Sequence, residues 1–238
     1  MGKKVKVQFV CNGNHDRSVA AEAFANQWIK EHDLENLIEV SSAGLFVTNK
    51  ESPAYDWVSK VLRRAVNRTN LLTPDERIFV MQTMTLNDYD QALELFRRIC
   101  PHFVEEATGY REMLGPKLGI TEALKHTPTQ FEPKEDLDAI LCMTKDQRGR
   151  IRQTYNLLGK KIPPVTAVLP DFAGRMGEEE VNLHLGQDYD HYCEAMSKIK
   201  LCVGPIMEKI YALFLEESNG PIKNYPTPTA GPGGWHID

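Results

Sequence analysis

The chain begins with an apolar run that is followed by a helical repeat of small and aromatic residues. Residues 4–10 alternate in polarity and then become continuously apolar, which predicts a buried strand. Residues 18–30 place apolar side chains on adjacent strips of one helical face, namely Ala21, Ala25 and Ile29 with Ala20, Phe24 and Trp28 beside them. A strand followed directly by a helix is therefore expected at the start.

Three further apolar segments predict strands. They are "LIEVSSAG" at 37–44, "LDAILCM" at 137–143 and "IPPVTAVLPD" at 162–171. The segment "KDQRGRIRQTYNLLG" predicts a helix between the last two strands, and Gly159 is placed to end it. Beyond Gly186, a helical repeat of apolar residues predicts one long helix with a buried face of Tyr192, Met196, Ile199, Val203, Ile206, Ile210 and Phe214.

This order of strands and helices is typical of an α/β fold with a four-stranded parallel sheet flanked by helices. Because crossovers between parallel strands are right-handed, the carboxyl ends of the strands meet at one edge of the sheet. Cys11, Gly44, Met143 and Asp171 all fall at that edge.

The middle of the chain, about 48–118, predicts a mainly helical insertion. "SPAYDWVSKVLRRAV" has a helical pattern, "TPDE" is a helix start capped by Thr73, and "DYDQALELFRRIC" predicts a helix that stops at Pro101. "RIFVMQT" fits a helix or a strand equally, so a fifth strand stays open. Residues 1–218 are thus expected to form one domain with this insertion, and the Pro- and Gly-rich residues 219–238 an extended or disordered tail.

Composition narrows the classes of partner and compartment. The net charge is −5, and positive and negative residues are well mixed along the chain. This pattern disfavours nucleic acid or an anionic membrane as a partner. No apolar stretch approaches the roughly 20 residues needed to span a bilayer. The five cysteines are scattered without paired spacing, so we expect reduced thiols in a cytoplasmic protein rather than disulfides or a metal site.

The loop between the first strand and the first helix, "CNGNHDRS", combines a thiol with an arginine. Backbone N–H groups and the helix dipole favour an anion at such a helix start, and Gly13 permits a tight turn. Arg17 can donate two hydrogen bonds to a phosphate, and the same positive field favours the thiolate of Cys11. This spacing predicts a phosphate cradle with a nucleophile at its base, which is suited to hydrolysis through a cysteinyl-phosphate.

The same residues resemble the signature V-C-x-G-N-x-C-R-S-P of the low-molecular-weight protein tyrosine phosphatases. "AAEAF" resembles the helix that follows this signature, "VSSAG" a turn of the family, and "LDAILCM" its D-x-I-L-x-M strand. "GITEALKHTPTQF" resembles the segment that precedes that strand. The resemblance covers residues 4–45 and 119–215, with the middle region as the insertion.

The resemblance implies a phosphatase fold of four parallel strands, with no metal and no cofactor. It implies that Cys11, Arg17 and Asp171 are catalytic, with Asp171 of "VLPDFAG" as the general acid. The alternative is that Asp171 is a turn residue after the strand, and Asp188 and Asp190 are then the substitutes for the acid. The phosphate loop would be Asn12, Gly13, Asn14, His15, Asp16, Arg17 and Ser18, and its supporting network Asn14, Ser18, Ser42 and His126. The implied partner is a phosphorylated protein or a small phosphomonoester.

Several positions depart from the family pattern. Asp16 replaces a cysteine and puts a carboxylate beside the anion site, which requires that it point away; Val19 replaces a proline. Phe172, Ala173 and Gly174 replace Pro-Tyr-Tyr, which removes an aromatic wall, and Asn12 replaces an apolar residue. Phosphatase chemistry is therefore better supported than phosphotyrosine as substrate. We expect the insertion to form a helical cap beside the loop and to supply the missing wall; the alternative is a helical annex on the far side of the sheet.

Two other functions share this loop. A non-catalytic phosphate- or phosphopeptide-binding homologue would keep the cradle without turnover. An arsenate reductase would need two further cysteines to relay a disulfide, and Cys142 has no partner at short spacing.

Overall fold

The computed structural model describes residues 4–47, 55–68, 70–84, 88–175, 180–183 and 186–216. The predicted tail at 219–238 lies outside these ranges. No described helix is both long and apolar enough to cross a membrane.

Four parallel strands form the central sheet, which confirms the predicted fold class. They are β1 (Val5–Cys11), β2 (Ile38–Gly44), β3 (Ala139–Cys142) and β4 (Val165–Val168), in the spatial order β2-β1-β3-β4. Cys11 pairs with Gly44 across β1 and β2, and Val10 pairs with Cys142 across β1 and β3. The last residues of all four strands therefore meet at one edge.

Alternate residues of the strands enter two different cores. Val7 and Phe9 of β1 face helices α1 (Arg17–Glu31) and α7 (Tyr189–Phe214), while Val10 faces α5 (Lys145–Leu157) with Ile140 of β3. Side chains along a strand point to opposite faces in turn, so a strand covered by helices on both faces is apolar throughout. This explains the continuous apolar runs in the sequence.

The insertion is helical and has a core of its own. It contains α2 (Tyr55–Ala65), α3 (Pro74–Ile78), a π-helix (Phe79–Thr83) and the first part of α4 (Tyr89–Leu118). Thirteen buried side chains form its core, namely Val58, Val61, Leu62, Ala65, Leu72, Val80, Met84, Ala92, Leu93, Leu95, Phe96, Ile99 and Phe103.

The strand alternative for "RIFVMQT" is wrong, since these residues are helical and the sheet of the described chain has four strands. Thr73 and Glu76 form a reciprocal capping box, and Pro74 occupies the first turn of α3. The helical structure continues through the following residues, where Val80 is buried in the insertion core and Phe79 packs against it.

The predicted helix end at Pro101 is also wrong, because α4 continues to Leu118. A proline inside a helix removes one backbone hydrogen bond. Burial of Phe103 in the insertion core, and of Leu114 and Leu118 in the core of the sheet, offsets that loss. Helix α4 therefore joins the insertion core to the core that lies between the sheet and helices α1 and α7. The local sequence did not indicate this connection.

Two shorter helices lie outside the insertion. A 3₁₀-helix spans Ala123–Lys125, and α6 (Leu169–Phe172) follows β4 directly. Gly159 has a positive φ of 62° just after α5, consistent with the predicted helix end.

Phe103→Ala should lower the free energy of unfolding by about 3–5 kcal/mol, because the ring is fully buried and its loss leaves a cavity. Val104→Ala is the matched control on the same helix: Val104 is 46% exposed, and the expected change is below about 0.5 kcal/mol. Urea unfolding of both variants measures the difference. Equal midpoints for the two variants would contradict the proposed role of α4 in the insertion core.

Candidate active site

The loop of residues 12–16 connects β1 to α1 and runs against the segment that follows β2. The N–H groups of Leu45 and Phe46 donate to the carbonyl oxygens of Cys11 and Asn12 at 3.0 and 2.9 Å. Gly44 allows this approach, since a Cβ there would lie 2.8 Å from the Asn12 carbonyl oxygen and 2.9 Å from the Asn14 nitrogen. The turn after β2 therefore holds the loop in place.

Two groups of the loop and the first turn of α1 converge on the sulfur atom of Cys11. The backbone N–H of Asn14 donates to Sγ at 3.2 Å, and the Ser18 hydroxyl oxygen lies 3.0 Å from it. The cysteine is only 3% exposed and sits at the end of the central strand. Such an arrangement can stabilise negative charge on sulfur through hydrogen bonds.

Asn14 links the predicted supporting residues. Its side-chain NH₂ donates to the hydroxyls of Ser18 and Ser42 at 3.0 and 2.8 Å. Its Oδ1 accepts from the backbone N–H of Thr129 at 2.7 Å and lies 2.9 Å from His126 Nε2. The structure thus brings all four predicted network residues together and adds Thr129, whose backbone donor carries no sequence signal.

Arg17 is buried at the start of α1. One of its terminal nitrogens donates to the carbonyl oxygen of Val181 at 2.8 Å, and the Val181 N–H donates to the Met143 carbonyl after β3. Burial lowers the pKa of Arg17, while the neighbouring charges of Cys11 and Asp16 act to raise it. Residues 180–183 thereby join Arg17 to the end of the sheet, a contact that sequence analysis missed.

The first loop residues are held from the α5 side. Asn12 Oδ1 accepts from Gln147 Nε2 at 2.9 Å, and Gln147 Oε1 accepts from the Met143 N–H at 2.9 Å. Gln147 also completes a capping box with Thr144 at the start of α5. The T-x-x-Q pattern in the sequence is a signal for that cap, but it does not indicate contact with Asn12. Beside Asn12, a Cβ added to Gly13 would lie 3.2 Å from the half-buried ring of His15.

The carboxylate of Asp16 points away from the loop interior toward two other helices. Arg111 of α4 donates to it through Nε at 2.6 Å and Nη2 at 3.1 Å, and the Tyr192 hydroxyl of α7 donates to Oδ1 at 3.1 Å. The insertion helix therefore contacts the predicted phosphate loop directly. Neither Arg111 nor Tyr192 was among the predicted site residues.

Asp171 lies in α6 at the same edge of the sheet. Cys142 of β3 pairs with Val10 of β1 and with Val168 of β4, so β3 lies between β1 and β4. Asp171 follows the end of β4. Neighbouring strands are about 4.8 Å apart, so the ends of β4 and β1 are separated by roughly 10 Å. Asp171 is half-buried, and α7 returns to its segment where Lys209 donates to the Phe172 carbonyl oxygen at 2.8 Å.

The two substitute carboxylates lie elsewhere, at the start of α7. Asp188 caps this helix by accepting from the N–H of His191 at 3.0 Å and from its ring Nδ1 at 2.7 Å. These hydrogen bonds lower the pKa of Asp188. Asp190 is exposed in the first turn of the same helix. Within the described ranges, no three His, Cys, Asp or Glu side chains are grouped as metal ligands would be.

Comparison with known proteins gives one family match and several structural matches. The family model "Low molecular weight phosphotyrosine protein phosphatase" matches residues 6–114. No curated protein sequence matches the chain. The structure of a Drosophila arginine phosphatase is similar with a TM-score of 0.53 and 17% identity, covering 86% of this chain and 97% of that protein.

Two further solved structures have a TM-score of 0.50. A low molecular weight protein tyrosine phosphatase from T. tengcongensis is 18% identical and covers 87% of this chain and 99% of its own. The YwlE arginine phosphatase from Geobacillus stearothermophilus is 17% identical, with 89% and 96% covered. At these identities the structural matches show a shared fold.

Gly44→Ala should destabilise the protein by about 1–3 kcal/mol, because the added methyl group meets the loop backbone at less than van der Waals distance. Gly149→Ala is the matched control, since nothing lies within 4 Å of a Cβ there and the residue is inside α5. That control should stabilise the protein by up to about 1 kcal/mol. Urea unfolding decides, and a Gly44→Ala variant as stable as wild type would show that the loop is not confined in this way.

Proposed function

We propose that the chain belongs to the low molecular weight phosphotyrosine protein phosphatase family, whose model matches residues 6–114, and that it hydrolyses phosphotyrosine or a similar phosphomonoester through a cysteinyl-phosphate. The observation that carries this proposal is the loop itself. Cys11 Sγ lies between the Asn14 N–H and the Ser18 hydroxyl, with Arg17 at the first turn of the helix behind it.

In the first step of this mechanism, the Cys11 thiolate attacks the phosphorus atom of the substrate. A sulfur–phosphorus bond forms as the bond to the leaving oxygen breaks, and Asp171 gives its proton to that oxygen. In the second step, Asp171 takes a proton from water, which attacks phosphorus and breaks the sulfur–phosphorus bond. Inorganic phosphate and the free thiolate are the products.

The phosphate group would be held by the backbone N–H groups of residues 12–18 and by Arg17. A guanidinium can bind two phosphate oxygens at once, and the helix start favours the anion. The Asn14 network supports this proposal, because Ser42, His126 and Thr129 fix the residue that gives its backbone N–H to sulfur. His126 and Ser42 would therefore act by positioning the loop.

Asp171 is the proposed general acid because its place in the fold suits the role better than those of the alternatives. It follows β4 at the edge where the phosphate loop lies. Asp188 is engaged in capping α7, and hydrogen bonds that lower a carboxyl pKa oppose the protonated form that a general acid needs.

Fewer contacts define the leaving group of the substrate than define the site for its phosphate group. Asn12 is bound by Gln147, and Ala173 and Gly174 offer no ring for a phenyl group to stack on. Similar folds include proteins named as tyrosine phosphatases and as arginine phosphatases, so a substrate panel needs phosphotyrosine, phosphoserine and phosphoarginine peptides and small phosphates. We propose a cytoplasmic phosphorylated protein or small phosphomonoester as the partner, since thiols such as Cys11 stay reduced there.

An arsenate reductase would need a second reactive thiol near the loop. Cys142 is the cysteine at the end of β3, where it is buried and donates to the Ala167 carbonyl oxygen. Burial raises its pKa to about 12, which leaves little thiolate at neutral pH. Phosphatase turnover is therefore the better supported activity. Hydrolysis of p-nitrophenyl phosphate separates it from a homologue that only binds phosphate.

Cys11→Ser should abolish turnover of p-nitrophenyl phosphate and of every substrate in the panel, because a serine hydroxyl is not ionised at neutral pH. Cys100→Ser, a cysteine of α4 in the insertion, is the matched control and should retain activity. Brief reaction with ³²P-labelled substrate, quenching in acid and peptide mapping should locate the label on Cys11. Label on another residue, or activity in the serine variant, would reject this nucleophile.

Asp171→Asn should reduce the rate on phenyl phosphate about 10²–10⁴-fold and the rate on p-nitrophenyl phosphate much less, because nitrophenolate leaves without protonation. Asp188→Asn is the matched control and should affect both substrates equally and weakly. The measurement is kcat for the two substrates with each variant. Equal losses on both substrates for Asp171→Asn, or a larger loss for Asp188→Asn, would assign the acid elsewhere.

A further inference from the structure

Asp16 occupies the N-cap position of α1 but does not cap it. Its backbone carbonyl accepts the N–H of Ala20 at 2.8 Å, while its side chain makes no hydrogen bond to the first turn. Aspartate is among the preferred N-cap residues because its carboxylate accepts from the free N–H groups there. Something outside α1 must therefore hold this carboxylate away.

Arg111 and Tyr192 supply that hold. The guanidinium group of Arg111 binds both carboxylate oxygens of Asp16. The side chains of Arg111 and Asp16 are only 18% and 19% exposed. Burial by itself would lower the pKa of Arg111, but the hydrogen bond and the charge of Asp16 raise it above its ordinary value. Burial, followed by the charge of Asp16, raises the pKa of Tyr192, which keeps its hydroxyl a donor.

The position of Arg111 is set by packing between α4 and α7. The ring of Tyr110 lies 5.5 Å from that of Tyr189 and 5.8 Å from that of Tyr192. On the previous turns of α4, the buried ring of Phe103 packs on Gly186, where an added Cβ would lie 3.1 Å from it. Arg111 and Tyr192 therefore reach Asp16 from two helices that are packed against each other.

We propose that Arg111 is a positioning residue for the phosphate loop, so that the insertion sets the affinity of the loop for phosphate. The inference rests on the proposed function, because it requires the loop to bind a phosphate group. Arg111 holds the Asp16 carboxylate away from the N–H groups at the start of α1 and balances its charge. Both effects leave those N–H groups and Arg17 to the substrate.

Without Arg111, the Asp16 carboxylate would compete with phosphate for the N–H groups at the start of α1. The freed carboxylate can rotate toward the N-terminal N–H groups of α1 and accept from them as an ordinary N-cap. It would also leave an unbalanced negative charge next to a bound phosphate dianion. At an effective dielectric constant of about 20, such a charge weakens anion binding by roughly 10- to 100-fold.

The test is a double-mutant cycle on the full chain, with inorganic phosphate as the probe and isothermal titration calorimetry as the readout. Arg111→Met should weaken phosphate binding about 10- to 100-fold. Asp16→Asn should weaken phosphate binding much less than Arg111→Met does, because it carries no charge to repel the anion. The double variant should bind like Asp16→Asn, so that the second substitution restores what the first removed.

If Arg111 held Asp16 in place without any electrostatic effect, the phosphate affinities of the variants would follow a different pattern. Asp16→Asn, Arg111→Met and the double variant would then weaken binding equally, and that result would overturn the proposal, as would an unchanged Arg111→Met. Arg98→Met is the matched control, since Arg98 is an arginine of α4 that pairs with Glu76 inside the insertion at 2.6 Å. It should leave phosphate binding unchanged.

Arg111→Lys keeps the proposal testable if Arg111→Met does not fold. Lysine keeps the charge and loses the fork, so it should retain most of the phosphate affinity, and a loss as large as that predicted for methionine would overturn the proposal. Phosphate binding is measured without turnover, so the two proposals can fail separately. A wild type that binds phosphate and shows the restoration but hydrolyses nothing would reject the phosphatase function and support the role of Arg111.

Discussion

The site depends on one side-chain amide, that of Asn14. Its φ of 52° lies in the left-handed region, which residues other than glycine adopt rarely and asparagine more often than most. The amide is fully buried, and its hydrogen bonds reach Ser18 in α1, Ser42 in β2, and His126 and Thr129 before β3. Three separate parts of the sheet edge thus determine the conformation of one loop residue. That conformation aims the Asn14 N–H at Cys11 Sγ.

A second constraint is electrostatic, since the loop that we propose to hold a phosphate contains a carboxylate. The protein accommodates Asp16 by pairing it with Arg111 at partial burial, where a guanidinium fork on a carboxylate is stronger than an exposed ion pair. The cation comes from α4, which also carries the side chains that join the insertion core to the core of the sheet. The insertion, which has a core of its own, thereby contacts the loop through an ion pair. Under the proposal for Arg111, this contact is how the insertion influences the affinity of the loop for phosphate.

Local patterns predicted well wherever a segment's own residues control its structure. Apolar segments predicted the four strands, and β3 is apolar at every position because both of its faces are covered by helices. Thr73, Pro74 and Glu76 predicted the start of α3, because a capping box is completed within four residues. Pro101 misled the prediction for the opposite reason, since its cost to α4 is offset by contacts with residues far away in the chain. The open choice for "RIFVMQT" likewise could not be settled locally, as the same apolar side chains fit a helix or a strand until a partner surface is known.

The amino-acid sequence by itself predicted the sheet and the loop with Cys11 and Arg17 at its two ends, because spacing along a strand–loop–helix unit dictates which groups meet. Ser42 and His126 were expected beside Asn14 from the family resemblance, and Thr129 was found there only in the tertiary structure. Only the tertiary structure decided what Asp16 does, because Arg111 and Tyr192 lie 95 and 176 residues away from it. The contacts of Arg17 with Val181 and of Asn12 with Gln147 were decided in the same way. Each joins segments that no periodic pattern relates, and it forms only when helices and strands pack at the edge of one sheet.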